Sequence, residues 1–243
     1  PYDPLRSDFR KALRGPSWEH PLGTDELGRD MLSRILWGAR ISLTIGLISV
    51  GVGVGMGMPL GAVCGYYGRT LDLLGQRLVD VMLAFPGILL AIVLVSVLGV
   101  GLENVMVAVG IVSVPTYARL VRGSVLVLKN RDFVTAARAA GAGHARILFR
   151  HILPHCLAPI IVQSTLQVGA AILWAAGLSF LGLGARPPTP EWGSMLSRGR
   201  TYLLVAPHLT AFPGLAIMLV VLGFNMLGDG LRDALDPRLR GRE

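Results

Sequence analysis

Charge is scarce in this 243-residue chain: only 16% of its residues are Asp, Glu, Lys or Arg, against about 25% in a soluble domain. Cysteine is almost absent. Cys64 and Cys156 sit at the edges of apolar runs, which excludes a disulfide framework and a cysteine-rich metal centre. No full charge lies in the middle of an apolar run, so a proton or ion relay through carboxylates has no candidate. A phosphate loop is also lacking. The GVGVGMG stretch at 51–57 is glycine-rich, but it lies in an apolar run and has no Gly-Lys-Ser/Thr ending. No nucleophile, base or paired-carboxylate constellation marks an enzyme. The net charge of +8 would suggest nucleic acid if clustered. It is instead spread over several loops without interleaved aromatics, which excludes that partner.

What the chain does have is hydrophobic sequence, 52% of its residues. Residues 1–40 are polar, with seven basic and six acidic side chains. Gly23, Thr24 and Asp25 read as a turn and helix start. Met31, Leu32, Ile35 and Leu36 then recur at helical spacing, which predicts an amphipathic helix at the interface before the first span. Five runs follow, at 41–68, 81–102, 104 to beyond 118, 156–185 and 208–228. Each meets the roughly 20 residues a membrane helix needs, the third only if Arg119 and Arg122 continue it and snorkel. The fold class is therefore all-α, a polytopic membrane protein with five visible spans. In the first run Gly46, Gly51, Gly53, Gly55, Gly57 and Gly61 fit either a close-packing face or a generic glycine-rich span. Pro59, Pro86, Pro115, Pro159 and Pro213 fit either kinked helices around a moving path or the ordinary proline content of membrane helices.

The transmembrane region runs 41–228, with loops at 129–155 and 185–207 and a tail at 229–243. Seven Lys or Arg and one acid, Asp132, lie between Arg119 and Arg150. Placing that block in the cytoplasm puts 13 basic and seven acidic residues inside, and ten and eight outside, which agrees with the positive-inside rule. Residues 1–40 then lie outside. That orientation, with a chain beginning at Pro1, predicts a preceding sixth span, or a cleaved signal peptide. Pro187, Pro188 and Pro190 stiffen the loop at 185–207, where Trp192 is expected at the interface. The loop reads as a lid over a path or as a packed external segment.

The stretch 132–155 has its own design. Asp132 can cap a helix over 133–140, Gly141 can end it, and a second amphipathic segment covers 144–152 until Pro154 stops it. His151 and His155 are four apart, but they lack a nearby carboxylate to complete a metal site. Few polar side chains enter the spans. Gln163 and Gln167 share a face of the fourth, with Ser164 and Thr165 beside them, and Asn225 lies in the last. These line a polar path or hydrogen-bond between helices.

This hairpin resembles the cytoplasmic coupling loop of ABC importer permeases: Glu-Ala-Ala, three residues, Gly, nine residues, Ile, one residue, Leu-Pro. Ala136, Ala137, Gly141, Leu153 and Pro154 fit at that spacing, while Thr135 replaces the Glu and His151 the Ile. HPLGTDELGRD (20–30), YARLVRG (117–123), LSFLGLG (178–184), PPTPEWG (187–193), FPGLAI (212–217) and GDGLRDALDPRLR (228–240) are similar to the second permease of the dipeptide, oligopeptide and nickel group. The resemblance implies a type I importer transmembrane domain that binds no cofactor itself. It further implies partner ATPase subunits holding ATP and Mg, a second permease, and an extracytoplasmic binding protein. Asp132, Ala136, Ala137, Arg138, Gly141, His151, Leu153 and Pro154 become the expected ATPase-coupling residues, and Gln163, Gln167 and Asn225 the expected substrate path. The resemblance also implies a peptide substrate, with a nickel chelate or a glutathione-like compound as alternatives. A secondary transporter, a channel or a purely structural membrane subunit are the rival classes.

Overall fold

The computed structural model describes residues 1–235. Among these the only regular structure is helical, apart from an isolated antiparallel bridge between Thr24 and Asp30. The helices are α1 (Met31–Tyr67), α2 (Arg69–Ala84), α3 (Gly87–Leu98), α4 (Leu102–Leu128), α5 (Asp132–Ala139), α6 (His144–Arg146), α7 (Leu157–Phe180), α8 (Trp192–Gly199) and α9 (His208–Leu235). Four helical stretches, α1, α4, α6 through α7, and α9, are long and apolar enough to cross a membrane. The pair α2 and α3, bent by 95° at its break, makes a fifth if counted as one span. The second run thus does not form one straight helix over 81–102. The chain leaves the helix at Phe85, whose backbone is extended, because a residue before proline disfavours the helical region. Pro59, Pro115 and Pro213 by contrast lie inside continuous helices.

The chain forms two compact units. One contains Pro1–Ser49, Ala91–Val109 and Val168–Phe224; the other contains Val50–Leu90, Gly110–Gln167 and, among the described residues, 225–235.

In the first unit, the expected amphipathic helix turns out to be the opening of α1, and its apolar stripe is divided between the core and the exposed surface. Met31, Ser33, Arg34 and Gly38 are buried while Leu36 and Trp37 are exposed. The helix starts at Met31 rather than at Asp25, because Asp30 takes the capping position: its Oδ2 accepts the Ser33 N–H at 2.8 Å. Asp25 instead folds the preceding turn. Its Oδ1 accepts the N–H groups of Leu27 and Arg29, both at 2.9 Å, and its Oδ2 accepts from Arg29 Nε at 2.6 Å. Arg34 Nε lies 3.3 Å from the same oxygen and its Nη1 donates to the Pro4 carbonyl at 2.9 Å. These charges are buried together, and a buried charge is tolerated only when paired and hydrogen-bonded.

The middle of the loop at 185–207, residues 190–195 with Gly199 and Ala206, is packed in this unit's core, while Leu204 and Val205 are exposed. Trp192 is 2% exposed, and its indole donates to the Ile35 carbonyl at 3.0 Å. It clusters with Met31, Ala176, Met195, Ala206, Leu209 and Ile217. It is therefore a core residue and not an interfacial anchor. Glu191, 1% exposed, caps α8 by accepting 2.7 Å hydrogen bonds from the Gly193 and Ser194 N–H groups.

In the second unit, the glycine pattern becomes a packing stripe. A Cβ at Gly57 would lie 2.7 Å from Tyr117 Cβ and from the Val114 carbonyl, and one at Gly61 would strike the Ala118 backbone. Gly53, Gly57 and Gly61 thus bring α1 against α4 as a small-residue face does. Gly51 and Gly55 have nothing within 4 Å and take no part.

Two predictions follow from these contacts. Gly61→Ala should destabilise the detergent-solubilised protein by about 1–3 kcal/mol through overpacking, read as a lowered melting temperature, whereas Gly55→Ala should leave it unchanged. For Glu191, burial pushes the carboxyl above its ordinary value of 4.5 and outweighs the opposing N–H bonds. The folded state then holds a proton that the unfolded chain has released. Stability should fall as pH rises from about 4.5 through the raised value, and Glu191→Gln should flatten that fall in a melting series across pH.

Candidate functional site

The stretch 132–156 is a helical hairpin fastened from beneath. α5 presents Val134 inward, fully buried, and packs on the segment 147–152, where Ile147, Leu148 and Ile152 are buried too. Leu153 and Cys156 continue the buried line. The turn is a Schellman motif. The Ala142 N–H reaches the Ala137 carbonyl and the Gly141 N–H the Arg138 carbonyl, both at 3.0 Å, with Gly141 at φ +80°. A side chain there pays the left-handed penalty, although nothing lies within 4 Å of its Cβ position.

Two expected details of the hairpin are corrected. Asp132 does not cap α5; it is the first helical residue, after Arg131 in the cap position, and no side chain bonds the cap. As a first-turn acid it still faces the positive end of the helix dipole. Pro154 does not stop the second arm. The chain passes from α6 into a π-helix at Ile147–Ile152, then a 3₁₀ turn at Leu153–Cys156, and on into α7. The wide turn sends the Leu153 N–H five residues back to the Leu148 carbonyl, which makes room for a proline ring that would clash in a regular helix. Side chains meet the carbonyls this break loosens. His155 Nδ1 donates to the His151 carbonyl at 2.8 Å, and Cys156 Sγ to that of Ile152 at 3.6 Å. Phe133 stacks on the His155 ring, centroids 5.0 Å apart. His155 is thus a structural tie between the arms. Among the described residues no His/Cys/Asp/Glu group could hold a metal ion.

The expected coupling residues divide by exposure. Asp132, Ala136, Arg138, Gly141 and Pro154 are exposed, Ala137 and His151 half-buried, and Leu153 buried. The outward surface is small-residue and basic: Ala136, Ala139, Ala140, Gly141, Gly143 and Ala145 are exposed, as are Arg131, Arg138, Arg146 and Arg150. Those four arginines make no ion pair among the described residues. The other basic residues of the block are engaged. Arg122 grips Asp72 with two bonds of 2.6 and 2.7 Å, Arg119 reaches Asp80 at 2.8 Å, and Lys129 donates to the Gly65 carbonyl at 2.8 Å. The arginines of α4 therefore do not snorkel as free cations; they bind α2 to α4. Acids 50 and 39 residues upstream gave no sequence signal of that pairing.

On α7, Gln163 and Gln167 are half-buried and Asn225 of α9 is exposed. None of the three makes a side-chain hydrogen bond within the described residues. Ser164 does, accepting from Tyr117 at 3.3 Å, and Thr165 bonds back to its own helix at the Ile161 carbonyl. The tail motif beyond residue 235 lies outside the described residues.

The family described as "Binding-protein-dependent transport system inner membrane component" matches residues 57–241. The chain belongs to that family. Among curated relatives, the permease is 56% identical to the dipeptide transport system permease protein DppC of Alkalihalophilus pseudofirmus, over 94% of this chain and 75% of that protein. It is 54% identical to the glutathione transport system permease protein GsiD of Pectobacterium atrosepticum, over 99% of this chain and 80% of that one. Its fold matches the inward-facing MetNI methionine ABC transporter with a TM-score of 0.69 at 20% identity, over 85% of this chain and 98% of that one. The all-α, multi-pass reading and the family resemblance both hold. The permease is a membrane subunit of an ABC import system and not an enzyme.

The Asp72–Arg122 pair gives a direct test of how α2 is held. A double-mutant cycle with Asp72→Asn and Arg122→Gln should show a coupling of about 1–3 kcal/mol in unfolding of the solubilised permease, as for charge-assisted bonds.

Proposed function

We propose that the permease forms part of a peptide translocation path, and that the hairpin 132–154 couples it to cytoplasmic ATPase subunits. The observation that carries this reading is the hairpin surface: small, basic and exposed, on a base of fully buried apolar side chains. Alanines and glycines let a partner approach closely, and rigid short helices transmit a displacement that a loose loop would absorb. Asp132, Ala136, Ala137, Arg138 and Gly141 are the contact face, with His151, Leu153 and Pro154 shaping the return into α7. ATP and Mg are held by the partner ATPases, and this chain binds neither. A second permease completes the path and an extracytoplasmic binding protein delivers the substrate. The hairpin lies in the cytoplasm and residues 1–30 outside, in keeping with the charge balance.

Dipeptides and glutathione, itself a short peptide, are named for relatives above 50% identity, which favours a peptide substrate over a nickel chelate. Gln163, Gln167 and Asn225 are the path candidates, because they leave amide groups without an internal partner on otherwise apolar helices. ATP binding then shifts an equilibrium between inward- and outward-open states.

Gly141→Val tests the coupling. The left-handed turn disfavours a β-branched side chain, so the turn should distort while the permease still inserts. Peptide uptake into proteoliposomes containing the whole transporter should fall at least tenfold, with loss of substrate-stimulated ATPase activity. Undiminished uptake by the variant, or uptake without ATP, would refute the coupling role.

A further inference from the structure

The second unit holds a cleft of about 300 Å³ lined by Tyr66, Tyr67, Lys129, Asn130, Arg138 and His144. It shares only Arg138 with the face assigned to the ATPase, and none of its lining side chains is acidic. Tyr66 and Tyr67 pack edge to face with centroids 5.1 Å apart, and the Tyr66 hydroxyl is hydrogen-bonded to His144 Nδ1 at 3.0 Å. Lys129 spends one ammonium proton on the Gly65 carbonyl, leaving two. Arg138 is exposed and makes no ion pair among the described residues. The cleft thus gathers an ammonium, a guanidinium, an amide, an imidazole and phenol edges, a donor set suited to a phosphate oxyanion.

Its level along the chain says where that phosphate comes from. The uncharged run at 41–68 ends one residue beyond Tyr67, and paired aromatics at the end of an apolar span mark the headgroup region. The helix that follows exposes Leu71, Leu73, Leu74 and Leu78, an apolar surface that only lipid tails or another protein would cover. A basic pocket between helix ends at this depth is the arrangement that holds anionic headgroups.

We propose that this cleft binds the phosphodiester headgroup of an anionic phospholipid, joining the end of α1 to the base of the hairpin. The proposal rests on the chain spanning a bilayer and not on the peptide-transport reading.

The test uses the full chain, solubilised from nanodiscs of one part phosphatidylglycerol to four parts phosphatidylcholine and examined by native mass spectrometry. One phosphatidylglycerol should be retained in preference to phosphatidylcholine. Arg138→Gln should reduce that retention at least fivefold, Arg138→Lys should keep most of it, and Tyr66→Phe should reduce it less than Arg138→Gln. Retention of the two lipids in their bulk one-to-four ratio, or retention indifferent to Arg138→Gln, overturns the proposal. So does displacement of the lipid by millimolar inorganic phosphate, which would make this a soluble-anion site. Displacement by bound ATPase subunits would assign the cleft to an acidic side chain of that partner and also overturns it. Each readout is independent of uptake, so a failure here leaves the transport reading standing.

Discussion

A helix end leaves carbonyls and N–H groups without partners, and a bilayer offers no water to satisfy them. In this permease several breaks in the helices are met by a side chain placed to answer them. Asn104 donates its amide to the Leu98 and Gly99 carbonyls where α3 ends, both at 2.9 Å. Lys129 does the same for Gly65 near the end of α1, and His155 for His151 inside the π-turn. Asp30 and Glu191 serve the opposite polarity, accepting from the first turns of α1 and α8. The short polar motifs along the chain are largely this machinery.

The same demand sorts the basic block at 119–150. Read as a string, its seven cations look alike, and their sum suggests a single positive surface. Folded, Arg119 and Arg122 neutralise Asp80 and Asp72, and Lys129 covers a carbonyl. Only Arg131, Arg138, Arg146 and Arg150 remain on the exposed hairpin. The positive-inside count and the docking surface therefore draw on different residues. The count weighs all seven, while only four make no ion pair on the exposed hairpin among the described residues.

Four of the spans, the hairpin and its glycine turn were legible because each rests on local physics: run length, helical period and the backbone freedom of glycine. What was not legible depended on distant partners. Met31, Leu32, Ile35 and Leu36 have the right spacing for a lipid-facing stripe. Yet the charged network at 20–34 draws Arg34 inward, Met31 and Ile35 pack into the core beside it, and of that stripe only Leu36 is exposed. Trp192 looked like an interfacial anchor beside three prolines, but the carbonyl it bonds, Ile35, lies 157 residues away. Pro154 carried its ordinary helix-stopping meaning, and only the π-turn before it shows why the helical path survives.

That survival bears on how motion could pass through the molecule. A proline that ended the second arm would have left a hinge between the hairpin and α7. The π-turn and the 3₁₀ turn instead make His144–Phe180 one helical path, braced at its bend by His155 and the Phe133 ring. In the proposed transport reading, a push on the hairpin reaches α7 without a flexible joint. Gln163 and Gln167 stand about two and a half and three and a half helical turns beyond Pro154, at about 3.6 residues per turn. A rotation of the arm would therefore reorient the amide pair about as much as it moves the docking face. The departures from the family motif, Thr135 and His151, leave this path intact, since neither of these side chains holds the bend. In that reading the geometry of the hairpin matters more than any one polar contact on it.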